Sequence, residues 1–350
     1  MRVERVTPGR RAPSRLEGAV LARDLTVGGR RWSKGRRLSA DDLGILGAAD
    51  PGEPVTVLVI EPGELHEDDA AVRLARAVAG PNLEVRGPNQ SRLDLVAAVS
   101  GVVNIRVAEL ERLNRLDPLE VFTVFDGQVV ERGDLVASVK VAPHIVDAAV
   151  IDAGERITGF GGQPIVWVAP FLAWRVAVVV KESVRGIARE RFEASVLAKV
   201  EGLGSRIIEI VYVEDHRDAV ESVLARFTRG TDTVAAADLI LTAGSASTDP
   251  TDAFYEAIET LGGRVVRRGV PSHPGSMLWL ARIGGTAILG LPTCGAYSRA
   301  TAADLLLPRL LSGEPASENT VAKLGYGGIL TRSQRFRFPP YARELDAPEG

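Results

Sequence analysis

Cysteine is almost absent from this chain of 350 residues, since Cys294 is its single cysteine. No disulfide can form within the chain, and this composition is typical of a reducing compartment, so we expect a cytoplasmic protein. Histidine is also scarce, and His66, His144, His216 and His273 are far apart in the sequence. These shortages exclude a disulfide framework and argue against a zinc site built from Cys and His.

Long hydrophobic runs are also missing. The first residues, MRVERVTPGRRAPSRLEG, contain no apolar signal core, and the most apolar stretch, residues 165–180, is interrupted by Pro170 and Arg175. A membrane-spanning helix needs about 20 consecutive apolar residues. The net charge of -3 gives no overall positive field for nucleic acid. We therefore expect neither a membrane span nor a nucleic-acid partner.

The common nucleotide-binding fingerprints are absent as well. The chain contains neither GxGxxG nor GxxxxGK[ST], and no residues have the spacing of a Ser-His-Asp unit. These absences disfavour the dinucleotide-binding and P-loop classes of enzyme.

A regular pattern is present in the second half of the chain. Short apolar runs at 176–180, 207–213, 238–242, 264–267, 277–283 and 286–291 predict strands, and the segments 188–201, 216–227, 253–261 and 298–311 predict helices. Strands that alternate with helices indicate a mostly parallel sheet covered by helices on both faces. We expect a mixed α+β N-terminal region over 1–165, with one or two subdomains, an α/β domain over 172–313, and a C-terminal helix and tail over 314–350.

One loop of the predicted α/β domain carries a concentration of polar residues. The segment AADLILTAGSASTDPTD is a buried strand followed by small and hydroxyl residues and then by Asp249 and Asp252. Ligands of open α/β sheets bind at the carboxyl ends of the strands. Amides and hydroxyls suit a phosphate, and carboxylates suit Mg²⁺ or a polar ring edge. The alternative is an ordinary strand-to-helix turn in which Asp252 caps the next helix.

Other glycine-bearing loops follow neighbouring elements of the same predicted sheet. They are the segment after Val180, the loop GVPSHPGSM at 269–277 and the loop GLPTCGAY at 290–297. We expect these turns to converge on one edge with the hydroxyl-rich loop. Together they would form an electropositive seat for a dianion, built from main chain more than from side chains.

These motifs, in this order, resemble the molybdopterin-binding domain. The resemblance is carried by LILTAGSASTDPTD, by GGRVVRRGVPSHPGSMLWLARIGGTAILGLPTCGAY and by LLLPRLLSGE. It is strongest over 176–312 and extends to about Gly18–Leu330, through LHEDDAAVRLARAVAG and KLGYGGIL, as in a divergent branch of molybdopterin molybdenumtransferase-like proteins. The domain also occurs in molybdopterin adenylyltransferases and in competence-damage-inducible-type proteins.

The resemblance implies a set of site residues. Thr242, Gly244, Ser245 and Ser247 match the loop that holds the pterin and its phosphate; Pro274 and Gly275 match the P-G loop; Gly290, Leu291 and Pro292 match the G-L-P loop. Asp249 and Asp252 match the acidic positions used for pterin contact and, in the enzymes, for Mg²⁺ or catalysis. The implied ligand is molybdopterin or its adenylate, and the implied assembly is a homodimer.

The departures from the family pattern affect the predicted activity. Ser272, His273 and Ser276 surround the P-G motif where molybdenumtransferases usually have lysines, and Thr293-Cys294-Gly295 replaces the usual G-N-P. Pterin binding is retained in this interpretation, while metal insertion is in doubt. Three functions stay open: Mg-dependent insertion of molybdate into adenylylated molybdopterin, non-enzymatic delivery of the cofactor to a molybdoenzyme, and hydrolysis of a nucleotide pyrophosphate.

Overall fold

The structure is a computed structural model that describes residues 1–89, 91–181, 186–231, 235–245, 247–291 and 300–343. Its residues cluster into two compact units. The first unit comprises Met1–Ala98, Asn104–Val124 and Arg132–Trp167, and the second comprises Val99–Val103, Phe125–Glu131 and the chain from Val168 onward. None of the helices in these described ranges is long and apolar enough to cross a bilayer.

The first unit consists of short strands and four helices among its described residues. The strands are β1 (Arg2–Val6), β2 (Val20–Leu21), β3 (Leu25–Val27), β4 (Arg30–Trp32), β5 (Val55–Val59), β6 (Glu64–His66), β7 (Leu83–Asn89), β8 (Arg92–Ala97), β10 (Leu119–Thr123), β12 (Leu135–Val141) and β13 (Ile145–Asp147). The helices are α1 (Ala40–Ala48), α2 (Glu67–Val78), α3 (Val107–Leu113) and α4 (Ala148–Gly159), with 3₁₀ turns at Ser14–Leu16 and Phe160–Gly162.

These strands pair into several small sheets, with the orders β1-β5-β2, β10-β12-β8-β7, β13-β6 and β3-β4. A further sheet, β11 (Val129–Val130), β9 (Gly101–Ile105) and β14 (Val166–Pro170), lies largely in the second unit. Helix α1 begins with a capping box: Ser39 Oγ accepts from the Asp42 amide, and the Asp42 carboxylate accepts from the Ser39 amide, both at 3.1 Å. The mixed character expected of the N-terminal region is confirmed.

The second unit is organised around one six-stranded sheet. The strands are β15 (Arg175–Val180), β16 (Arg206–Tyr212), β17 (Leu239–Ala243), β18 (Arg264–Arg268), β19 (Trp279–Ile283) and β20 (Thr286–Gly290), in the order β16-β15-β17-β20-β19-β18. The helices are α5 (Ile187–Glu201), α6 (Arg217–Arg229), α7 (Ala253–Thr260), α8 (Ala303–Leu311), α9 (Glu318–Ala322) and α10 (Pro340–Arg343), with a 3₁₀ turn at Arg332–Arg337. Strands β16, β15, β17 and β20 are parallel, and β19 runs antiparallel to both of its neighbours.

Both faces of this sheet are covered, because successive side chains of a strand point to opposite sides. Val178 packs in a core cluster with Phe192 of α5 and Leu306 of α8. Val179, the next residue, packs in the cluster on the other face with Leu224 of α6. Burial of each such side chain contributes about 1.5–3 kcal/mol. The predicted mostly parallel sheet with helices on both faces is confirmed.

Candidate functional site

The loops singled out in the sequence begin or end at one edge of the sheet. Parallel strands place their carboxyl ends on the same edge, and the register aligns Val180 with Ala243 and Thr242 with Gly290. Strand β19 runs the other way, so its first residue, Trp279, lies opposite Gly290 at this edge. The polar loop after β17, the P-G loop before β19 and the residues after β20 therefore share one rim, which we call the carboxyl edge.

Thr242 is a fully buried polar residue at the end of β17. Its main-chain oxygen accepts from the Leu291 amide at 2.8 Å, which joins the polar loop to the start of the G-L-P segment. Its Oγ1, however, has no hydrogen-bond partner among the described residues. A buried hydroxyl without a partner costs about 1–3 kcal/mol, so this atom is a candidate for a ligand contact.

Ser245 is held in place by a tryptophan. Its Oγ accepts from Trp279 Nε1 at 2.8 Å, and this leaves the serine hydroxyl hydrogen available to another acceptor. Gly244 before it has a φ of 86°, which glycine adopts without strain. Ser247 contributes its carbonyl oxygen, which accepts from Tyr255 Oη at 3.1 Å. The loop is thus braced by two aromatic residues, and the Ser245 hydroxyl donates to no acceptor among the described residues.

Gly290 has a packing role that the sequence does not reveal. A Cβ at this position would lie 2.0 Å from Trp279 Nε1, so no larger residue fits beside the indole. Gly275 of the P-G loop has a φ of 106°, and a Cβ there would lie 2.8 Å from the Ala302 amide. That amide donates to the Pro274 carbonyl at 2.9 Å. Both glycines therefore permit close approaches at the carboxyl edge, whatever they contact in a ligand.

Pro292 of the predicted site lies outside the described residues, as do Thr293, Cys294 and Gly295. Leu291, the residue before them, is buried. Most of the other predicted ligand-binding residues belong to strand ends and loops of the carboxyl edge.

Asp252 is a buried carboxylate with its two oxygens engaged. Oδ1 accepts from the Phe254 amide at 2.9 Å and so caps α7, as the alternative interpretation of the sequence expects. Oδ2 accepts from Lys181 Nζ at 2.7 Å. Asp249 is exposed, and its Oδ1 accepts from the Thr251 amide at 2.8 Å and from Thr251 Oγ1 at 2.7 Å. The hydroxyl of Thr251 lowers the pKa of Asp249, with a smaller contribution from the Lys181 charge.

Lys181 and Asp215, which form ion pairs beside Asp252, are not identified by the sequence analysis. Lys181 follows the last residue of β15, and its Nζ also lies 2.9 Å from Asp215 Oδ1. Burial acts to lower the pKa of Lys181, but the hydrogen bonds to Asp252 and Asp215 outweigh it, and the pKa is raised. A charged residue directly after the apolar run of β15 is the signal that could have indicated this position.

A polar cavity of about 500 Å³ opens beside Lys181. Its described lining contains five carboxylates but only one lysine and one arginine as cations; the lining residues are Lys181, Asp215, His216, Arg217, Asp218, Asp249, Thr251, Asp252, Ala253 and Glu256. The expected electropositive seat stays a prediction, since the lining of this acidic cavity includes none of the described residues at 242–245, 269–277 and 290–291. The cavity itself suits a ligand that presents N–H donors.

The described residues do not fit the predicted magnesium ion. Mg²⁺ requires near-octahedral oxygen ligands at 2.0–2.1 Å, whereas both oxygens of Asp252 are occupied by an amide and an ammonium group. In addition, no cluster of three or more His, Cys, Asp or Glu residues within the described ranges is arranged to hold a metal ion. The roles of Asp249 and Asp252 in metal binding and catalysis stay predictions.

The second unit contains a segment that matches a known protein family. Residues 175–312 match the family model described as a probable molybdopterin binding domain. No curated protein matches the chain. One similar solved structure is the molybdopterin biosynthesis MoeA protein from Pyrococcus horikoshii, with 13% identity, 75% of this chain and 81% of that chain covered, and a TM-score of 0.31.

Two further solved structures are each similar over 41% of this chain. The molybdopterin biosynthesis enzyme MoaB from Thermus thermophilus has 21% identity, with 41% of this chain and 99% of that chain covered and a TM-score of 0.30. Molybdenum cofactor biosynthesis protein B has 15% identity, with 41% and 96% covered and a TM-score of 0.31. These TM-scores are low, so the assignment depends on the family model. Residues 175–312 therefore match the model of a probable molybdopterin binding domain, as the sequence motifs predict.

Proposed function

We propose that the second unit binds molybdopterin, or its adenylylated form, at the carboxyl edge, and that the protein acts in the biosynthesis of the molybdenum cofactor. The observation that carries the proposal is the family match over 175–312, joined to a register that aligns Thr242 with Gly290 and Gly290 with Trp279. This register supports the proposal, because it brings loops that are far apart in sequence to one edge of the sheet.

The chemistry of the edge suits the two ends of molybdopterin. Its terminal phosphate needs hydrogen-bond donors, and we assign to it the hydroxyl of Ser245 and Thr242 Oγ1, which is buried without a partner among the described residues. The amino-pyrimidinone edge of a pterin ring presents N–H donors, which pair with carboxylates such as the exposed Asp249 in the acidic cavity. In this arrangement the hydroxyl-rich loop contacts the phosphate and Asp249 contacts the pterin ring, as the family resemblance implies.

Titration calorimetry with molybdopterin, kept anaerobic, tests this proposal. Native protein should bind, and Thr242→Val should bind about 10- to 100-fold more weakly, because a hydrogen bond to a charged group is lost. Its fold should be unharmed, since the removed hydroxyl has no partner.

The matched control is Thr286→Val. Thr286 is a buried threonine at the start of β20, on the opposite edge of the sheet, where its Oγ1 donates to the Ala237 carbonyl at 3.0 Å. This variant should lose some stability yet keep its affinity. Absence of heat with correctly folded native protein would reject the proposed function.

Two finer functions are compatible with binding. One is insertion of molybdate into adenylylated molybdopterin, a transferase reaction, and the other is delivery of the cofactor to a molybdoenzyme without catalysis. The pairing of Asp252 with Lys181 favours delivery, since this carboxylate is not free to hold a metal ion. Release of AMP from the adenylate on addition of molybdate and Mg²⁺ would instead establish the transferase.

Location and assembly complete the proposal. We place the protein in the cytoplasm on the ground of its single cysteine, and we assign it a homodimer on the ground of the family resemblance. Light scattering coupled to size-exclusion chromatography measures the mass of the assembly directly.

A further inference from the structure

Lys181 is a charged side chain in a place where charge is costly. Its side chain is only 3% exposed at the carboxyl end of β15, and its amide donates to the Ala243 carbonyl at 2.9 Å, which fixes its backbone against β17. A buried ammonium group is tolerated only when it is paired and hydrogen bonded. Asp252 and Asp215 provide this pairing from two other loops, at 2.7 and 2.9 Å.

The ammonium group thus occupies a position between two carboxylates that a divalent cation would otherwise need. A metal ion on Asp252 Oδ2 would lie beside Lys181 Nζ, which is 2.7 Å from the same oxygen and also faces the Phe254 ring, centred 5.6 Å away, so the two like charges would repel unless the lysine were displaced. Displacement would leave the lysine charge buried without compensation, which is a large penalty. The fixed lysine and a bound metal ion are therefore alternatives at this position.

The same lysine also faces the cavity. It lines the space of about 500 Å³ together with Asp249, and its charge contributes to the electrostatic environment of that carboxylate. A lysine that served only to tie three loops together would have no need to border a cavity of this size. Its position suggests a role toward a ligand as well as toward the fold.

We propose that Lys181 is a positioning residue that takes the place of a divalent cation at the carboxyl edge, so that ligand binding by this domain is independent of metal ions. Lys181 holds the carboxylates of Asp252 and Asp215 in the orientation that the cavity requires. This inference rests on the proposed function, because it takes molybdopterin as the ligand. The part that concerns metal ions can be tested without molybdopterin.

The first arm of the test measures Mn²⁺ binding by electron paramagnetic resonance, with Mn²⁺ as a probe for Mg²⁺. Native protein should show no stoichiometric site, whereas Lys181→Met should gain one, because Asp252 and Asp215 lose their cation while Asp249 stays nearby. Lys199→Met is the matched control: Lys199 is equally buried and also paired with a buried aspartate, Asp304, but it does not line this cavity. It should gain no Mn²⁺.

The second arm measures molybdopterin affinity in chelator and in Mg²⁺. Native protein should bind equally well in both, and Lys181→Met should depend on the added ion. Either of two results would overturn the inference about Lys181. One is stoichiometric Mn²⁺ binding by the native protein that is lost in Asp252→Asn, and the other is molybdopterin binding that requires Mg²⁺. A native protein that binds no molybdopterin in either buffer contradicts the proposed function instead, and the Mn²⁺ result still decides the role of the lysine. The native measurements decide the question even where Lys181→Met fails to fold.

Discussion

Two buried lysine–aspartate pairs in the second unit have the same chemistry and different surroundings. Lys199 of α5 pairs with Asp304 of α8 between helices, and its Nζ lies 5.4 Å from the ring centre of Tyr341. Lys181 pairs with Asp252 at the end of the sheet and lines a polar cavity. Both lysines are at most 3% exposed, and both aspartates are fully buried. Burial and pairing are common to both lysines, and of the two only Lys181 borders a ligand-sized space.

The largest difference between the pairs should appear in stability. Lys199→Met leaves Asp304 buried with the Thr301 amide as a remaining donor, so we expect a loss of about 3–5 kcal/mol in the free energy of unfolding. Lys181→Met should cost about half of this, because water from the cavity can solvate the released carboxylates. Urea denaturation of both variants measures the two losses.

A double variant separates the pair from the packing around it. Replacing both partners, Lys199→Met with Asp304→Leu, should recover most of the stability, since it removes the uncompensated charge. Equal losses for Lys181→Met and Lys199→Met would show that the cavity makes no energetic difference.

A substitution at Gly290 tests whether this residue of the carboxyl edge acts in packing or in ligand binding. Gly290→Ala places a methyl group against the Trp279 indole, so we expect a loss of about 1–3 kcal/mol and a changed near-ultraviolet circular dichroism spectrum. Gly285→Ala is the control, because a Cβ at this glycine of the opposite edge meets nothing within 4 Å. If Gly290→Ala is as stable as the control and loses only ligand affinity, the packing role assigned to Gly290 is wrong.

The elements that the sequence predicts are those whose signals lie within a few consecutive residues. Strands β15, β17 and β20 are buried on both faces and therefore appear as continuous apolar runs. The capped start of α1 follows from Ser39 and Asp42, three residues apart. By contrast, β1 (Arg2–Val6) is mostly charged and is not indicated by its residues; its pairing with β5 defines it as a strand.

The candidate site shows the same division. The loop after β17 is recognisable from its hydroxyls and aspartates, because they are consecutive in the chain. The contact of Lys181 with Asp252 spans 71 residues, and that of Ser245 with Trp279 spans 34. Such contacts depend on strand order and register, which a single sequence does not specify. The acidic character of the cavity was missed for this reason, since Asp215, in the loop after β16, and Asp218, in the first turn of α6, belong to a segment with no motif of its own.

The smallest expected effect is a change of stability with pH at the alkaline end. The hydrogen bonds of Lys181 to Asp252 and Asp215 raise its pKa above the ordinary value of 10.5 despite its burial. The native state then holds this proton more tightly than the unfolded state, so the stabilisation is complete below the unfolded pKa and is lost as the pH rises through the folded one. The slope is at most about 1.4 kcal/mol per pH unit for one group. The free energies of unfolding of the unsubstituted protein and of Lys181→Met should be measured by urea denaturation in steps from about pH 9 upward. The difference between the two free energies should shrink, because only the unsubstituted protein has the Lys181 proton to lose. A constant difference across that range would mean that Lys181 is not held by its two aspartates, and the distinction drawn between the two lysine pairs would lose its electrostatic basis.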